Sequence, residues 1–136
     1  MRIIGLYGHG SCGKSTTMNY LKELLRISGQ SVSSHPHPNC EKPETFNYKG
    51  LIVCVAPAGD TGSIVQGNVD YFISKHCDIA FSASRCKGAT VDVLNSFANK
   101  IGEHVEWVQK SYEYRLCKAT QSACNKEIAQ VLFNMI

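Results

Sequence analysis

A chain of 136 residues is long enough for one domain with a full core and leaves little spare length. Its composition, 43% hydrophobic and 18% charged, is that of an ordinary globular protein, and a net charge of +3 spread along the chain without a basic run gives no support to nucleic-acid binding. The apolar run Ile3–Tyr7 is too short for a secretory leader, and the longest apolar stretch, Leu51 to Ala58, falls far short of a membrane span. Seven cysteines with no Cys-x-x-Cys pair predict free thiols and a cytoplasmic setting.

The first predicted element is a short buried strand, Arg2 to Tyr7. Gly8-His9-Gly10-Ser11-Cys12-Gly13-Lys14-Ser15 follows, and then a helix ending at Gly29, with Met18, Leu21, Leu24, Leu25 and Ile27 on its apolar face. Strand, glycine loop and helix is the setting in which backbone N–H groups and a helix N-terminus hold phosphate. The glycines let the backbone approach the anion, Lys14 reaches its outer phosphates, and the Ser15 hydroxyl holds Mg²⁺. Cys12, beside a helix N-terminus and a lysine, is read either as a reactive thiol or as an inert packed one.

Gln30 to Ser34 reads as a second short strand. Three of the four prolines fall in His35-Pro36-His37-Pro38-Asn39-Cys40-Glu41-Lys42-Pro43, which excludes helix and predicts a surface excursion. His35, His37 and Cys40 are of the types that bind Zn²⁺, but no fourth ligand is identifiable, and contact with a substrate or plain exposure explains them as well. Thr45 to Lys49 reads as an edge strand, and Tyr48-Lys49-Gly50 as a turn. Leu51 to Ala56 has the near-continuous apolar character of a strand covered on both faces.

After the loop Pro57 to Gly62, a helix over Ser63 to His76 turns Val65, Val69, Phe72 and Ile73 to the core. Asp78 to Ala83 is a further strand, Ser84 to Gly88 a loop, and Thr90 the expected cap of a third helix. Val105 to Val108 is the last strand and carries the lone tryptophan, Trp107. A final helix capped by Thr120 is expected to bury Cys124, Ile128, Val131, Leu132 and Met135.

The glycine loop in this setting resembles the P-loop nucleoside-triphosphatases over residues 2–28, and the order of elements extends that resemblance along the chain. The resemblance implies a single three-layer α/β domain over residues 1–136, with about five mostly parallel strands and helices on both faces. It implies binding of ATP with Mg²⁺ through Gly8, His9, Gly10, Ser11, Cys12, Gly13, Lys14, Ser15 and Thr16. Thr16-Thr17 is also similar to the partition and nitrogenase-iron branch, whose signature adds a lysine near the start of the loop, where this chain has His9. Gly59-Asp60-Thr61-Gly62 looks like the Asp-x-x-Gly loop of P-loop GTPases with altered spacing. Asp60 is then a metal or nucleophile carboxylate, or else caps the next helix. Arg85 and Lys87 border the expected cleft, where Arg85 would aid phosphoryl transfer. No Asn-Lys-x-Asp motif follows the strand at 78–83, so adenine is expected over guanine.

These residues admit hydrolysis or transfer of the γ-phosphate to a small acceptor, with Lys14, Asp60 and Arg85 as the catalytic set and Ser15 and Asp60 on the metal. They equally admit a nucleotide-dependent switch that controls a protein partner with little turnover.

Overall fold

A computed structural model describes residues 1–8, 13–31, 41–110 and 118–136, with only the backbone described at residues 30, 31 and 118–120. Among these described residues ten elements follow in order: β1 (Arg2–Tyr7), α1 (Lys14–Ser28), β2 (Gln30–Ser31), β3 (Glu44–Tyr48), β4 (Leu51–Ala56), α2 (Gly62–Lys75), β5 (Ile79–Ser84), α3 (Ala89–Lys100), β6 (Val105–Gln109) and α4 (Lys118–Asn134). The strands form one sheet in the order β2-β3-β4-β5-β1-β6. β4, β5, β1 and β6 run parallel, with Tyr7 opposite both Ser84 and Gln109.

The alternation of strand and helix does not hold throughout. β3 pairs antiparallel with β4, and the two-residue β2 antiparallel with β3. Tyr48 and Leu51 face each other across Lys49 and Gly50, whose φ angles of 52° and 76° are those of a tight two-residue hairpin turn. Because β3 runs backwards, Glu44 lies opposite Val55. The chain therefore enters β3 at the edge where the parallel strands end, which brings the segment before it to the same side as the loops after β1, β4 and β5.

Period-two alternation places successive strand residues on opposite faces. Ile4, Leu6, Val53, Val55, Ile79 and Phe81 pack against Met18, Leu21 and Leu25 of α1 and Ala129 and Leu132 of α4. Their neighbours Ile3, Cys54, Ala56 and Ala80 face Val65, Val69 and Phe72 of α2 and Leu94 and Phe97 of α3. Helices thus cover both faces of the sheet. Trp107 packs on Gly5, where an added Cβ would come within 2.6 Å of the indole ring, and meets Tyr7 edge-on at 5.8 Å.

Three residues expected in the core lie mostly outside it. Ile27, Ile73 and Val131 are 79%, 50% and 47% exposed, because Ile27 falls on the side of α1 away from its buried stripe and Ile73 and Val131 fall beside theirs. In α1 the buried positions include Lys22 instead. The cap expectations also change. α3 begins at Ala89 after Gly88, so Thr90 lies inside the helix and its Oγ1 accepts from Arg85 N at 3.0 Å. α4 begins at Lys118, ahead of Thr120.

At α2 the cap is Thr61, whose Oγ1 accepts from Ile64 N at 3.2 Å. Asp60 is therefore not the capping residue. Thr61→Ala is expected to cost about 1 kcal/mol, read by chemical denaturation. Among the described residues Cys54, Cys77, Cys86 and Cys124 are free thiols. A hydrogen bond with Cys54, together with burial, pushes the Cys77 thiol up, so it stays protonated. No helix among the described residues is long and apolar enough to cross a membrane.

Candidate functional site

The carboxyl ends of β1, β4 and β5 surround a cleft of about 330 Å³, lined by residues that include Gly13, Lys14, Ser15, Thr16, Glu41 and Asp60. Gly13 precedes α1 with φ 95°, and a Cβ on it would press on Asn125 Oδ1 of α4 at 2.8 Å. Asn125 is buried, and among the described residues that oxygen has no hydrogen-bond partner. Gly13 O closes the first turn of α1 by accepting from Thr17 N at 2.9 Å and Thr17 Oγ1 at 2.8 Å.

Lys14 is buried, at 6% exposure. Its ammonium donates to Gly8 O after β1 and to Ser84 O at the end of β5, each at 2.8 Å. The side chain thus joins the two strand ends on either side of the cleft floor. Removing it withdraws a donor from two carbonyls, so Lys14 contributes to the fold as well as to the cleft.

The Ser15 hydroxyl lies 3.1 Å from Glu41 Oε1 and 3.4 Å from Pro57 O. Glu41 was missed as a site residue: a lone acid among prolines has no periodicity to mark it. A polar stripe on α1 brings it there. Lys22 Nζ donates to Lys42 O at 2.7 Å, and Arg26 Nη2 reaches both Glu44 oxygens at 3.0 and 2.8 Å. Ser15, Lys22 and Arg26 stand seven and four residues apart, two turns and then one, along one side of the helix. The detectable signal was a set of polar residues at helical spacing beside the apolar stripe.

The loop after β4 is held from two sides. Asn68 of α2 donates to Ala58 O at 2.7 Å and lies 3.2 Å from Ser82 Oγ of β5. Gly59 sits against the Ala83 carbonyl, which a Cβ at this position would overlap. Asp60 is 61% exposed. Arg85 donates from Nε to Asp60 O at 3.0 Å, and its Nη2 lies 3.8 Å from Asp60 Oδ1. Arg85 is itself half exposed and stands behind Asp60, not in the lining of the cleft. Lys87 is exposed on the same loop.

Of the sequence-predicted residues, Gly13, Lys14, Ser15, Thr16 and Asp60 line one cleft, with Gly8 bonded to Lys14. His9, Gly10, Ser11 and Cys12, and the candidate ligands His35, His37 and Cys40, lie outside the described residues. Set beside this geometry, no family model matches the chain, and no curated protein or solved structure matches it either.

Proposed function

We propose that the chain binds a nucleoside triphosphate, ATP in preference to GTP, in the cleft at Lys14, and hydrolyses it or transfers its γ-phosphate to a small acceptor. The observation that carries this reading is the convergence of Lys14, Ser15, Thr16 and two carboxylates, Glu41 and Asp60, at the carboxyl ends of parallel strands, where such sheets hold ligands. The P-loop resemblance at residues 8–15 supplies the anion chemistry.

Lys14 exchanges two neutral carbonyl acceptors for charged phosphate oxygens, which form the stronger bonds. The N-terminus of α1 adds the N–H groups of its first turn. The donor set fits Mg²⁺, a hard cation satisfied by a hydroxyl, one or two carboxylates and water. Ser15 would hold it, with Glu41 or Asp60 as the carboxylate, and the ion would neutralise charge on the phosphates. Asp60 is placed to orient or deprotonate an acceptor, and Arg85 fixes the Asp60 backbone.

A second reading, a nucleotide-dependent switch, rests on the Ser15–Glu41 contact. Whatever engages the Ser15 hydroxyl acts directly on the segment leading into β3, which is the kind of coupling a switch needs. Neither β4 nor β5 ends in an acid, which also suits slow turnover.

Turnover by Asp60→Asn separates the two. As an enzyme, the variant is expected to lose about 10²–10⁴-fold in kcat with ATP affinity nearly unchanged. As a switch, wild type and variant turn over equally slowly. Because Thr61 is the cap, thermal stability should be the same in both proteins.

A further inference from the structure

Between α2 and α3 runs a groove of about 590 Å³, lined among others by Ile73, Asp92, Val93, Ser96, Lys100 and Ile101. It shares no lining residue with the Lys14 cleft. Ile73 and Ile101 stand at its end 50% and 41% exposed. We propose that this groove docks a second copy of this chain, with α3 crossing its twin antiparallel about a twofold axis at Ser96.

The exposed face of α3 is self-complementary. Asp92, Ser96 and Lys100 are exposed and follow at intervals of four residues, so they form one ridge along α3. Ser96 is its midpoint, and at 1.5 Å per residue the two charges stand about 12 Å apart along the axis. Turning a second copy about Ser96 sets Asp92 of each chain against Lys100 of the other, which makes two ion pairs from one ridge. Among the described residues neither Asp92 nor Lys100 has an ion-pair partner within the chain. The small serine at the centre lets the two helices approach closely.

The same rotation carries Ile73 and Ile101, at the C-terminal ends of α2 and α3, over the other copy's Val93 near the start of α3. Half-exposed isoleucines on one chain thus cover apolar surface on the other. Asp92 and Lys100 also complement the helix dipole of α3, and that alone would account for their signs. It does not account for the two half-exposed isoleucines that stand beside the same ridge.

Sedimentation velocity over a concentration series tests the proposal. The wild-type chain is expected to pass from monomer to dimer as concentration rises. Lys100→Glu should weaken the dimer at least about tenfold, since each like-charge pair costs on the order of a kcal/mol at two symmetric places. Asp92→Lys combined with Lys100→Glu should restore it. Both positions are exposed on a helix, and circular dichroism confirms that each variant is folded. A wild type that stays monomeric throughout overturns the proposal and leaves the groove to another occupant. A dimer indifferent to Lys100→Glu, or one that the double substitution fails to restore, places the interface elsewhere.

Discussion

Gly59→Ala is expected to unfold the rim of the cleft and to abolish ligand binding there, although it adds a single methyl group. The new Cβ would overlap the carbonyl of Ala83 and approach Ser84 N at 2.9 Å. Both are backbone atoms of a fully buried strand, so neither can swing aside as a side chain would. The loop must lift off β5, and its other attachment, the bond from Asn68 to Ala58 O, resists that movement. The cost is expected to be about 3 kcal/mol, the upper part of the range for overpacking. Ser84 O is also one of the two acceptors of Lys14, so displacing the end of β5 disturbs the ammonium as well. Gly5→Ala is the informative control. Its Cβ meets the ring of Trp107, a side chain on a half-exposed strand, and the loss should be smaller. Denaturant titration of both variants checks the order, and equal stability of Gly59→Ala and wild type would show that the loop does not rest on β5 as described.

Arg26→Leu is expected to be comparably damaging for an electrostatic reason. The Glu44 carboxylate is 3% exposed and takes two bonds from one guanidinium nitrogen, while the guanidinium itself lies over Phe46 at 5.8 Å. Removing one member of a buried pair takes away much of the other charge's compensation, which costs about 3 kcal/mol. That is a large share of the roughly 5–15 kcal/mol that holds a domain of this size together. Glu44→Gln in the Arg26→Leu background should recover part of the loss, because it removes the charge that Arg26 compensated, and a double-mutant cycle measures the coupling. The effect should reach the cleft too. Arg26 and Lys22 together clip residues 42–44 to α1, so loosening them frees Glu41 from Ser15. A variant as stable as wild type would mean that Glu44 is adequately compensated without Arg26.

What could be read in the sequence was what short-range pattern determines. The mostly apolar stretches expected as strands at residues 2–7, 51–56 and 78–83 are strands to within a residue, and the helices fall close to where apolar spacing and Gly29 place them. Lys14, Ser15 and Asp60 were locatable because glycines and a strand–loop–helix order surround them. The direction of β3 was not readable, although its turn at Lys49 and Gly50 was, because pairing of a strand beside a proline-rich stretch is decided by its neighbours. Glu41 failed for a related reason. Its place depends on three α1 side chains meeting a distant segment, and only the folded helix aligns Ser15, Lys22 and Arg26. Lys22 broke the apolar pattern that was used to find α1, yet it is fully buried, its ammonium bonded to Lys42 O. Asp60 as a helix cap was a sound local expectation that lost to Thr61, one residue on.

The central claim is that Lys14 belongs to a nucleotide site, and calorimetric titration of Mg-ATP into wild type and Lys14→Met tests it most directly. Methionine keeps much of the buried stem and removes the ammonium, and circular dichroism verifies the fold, because that ammonium also joins Gly8 O to Ser84 O. Wild type should bind ATP more tightly than GTP, and Lys14→Met should bind ATP at least about 100-fold more weakly, the loss of a charged bond worth roughly 2–3 kcal/mol. Equal affinity in the two folded proteins, or no binding of any nucleoside triphosphate to wild type, would contradict it.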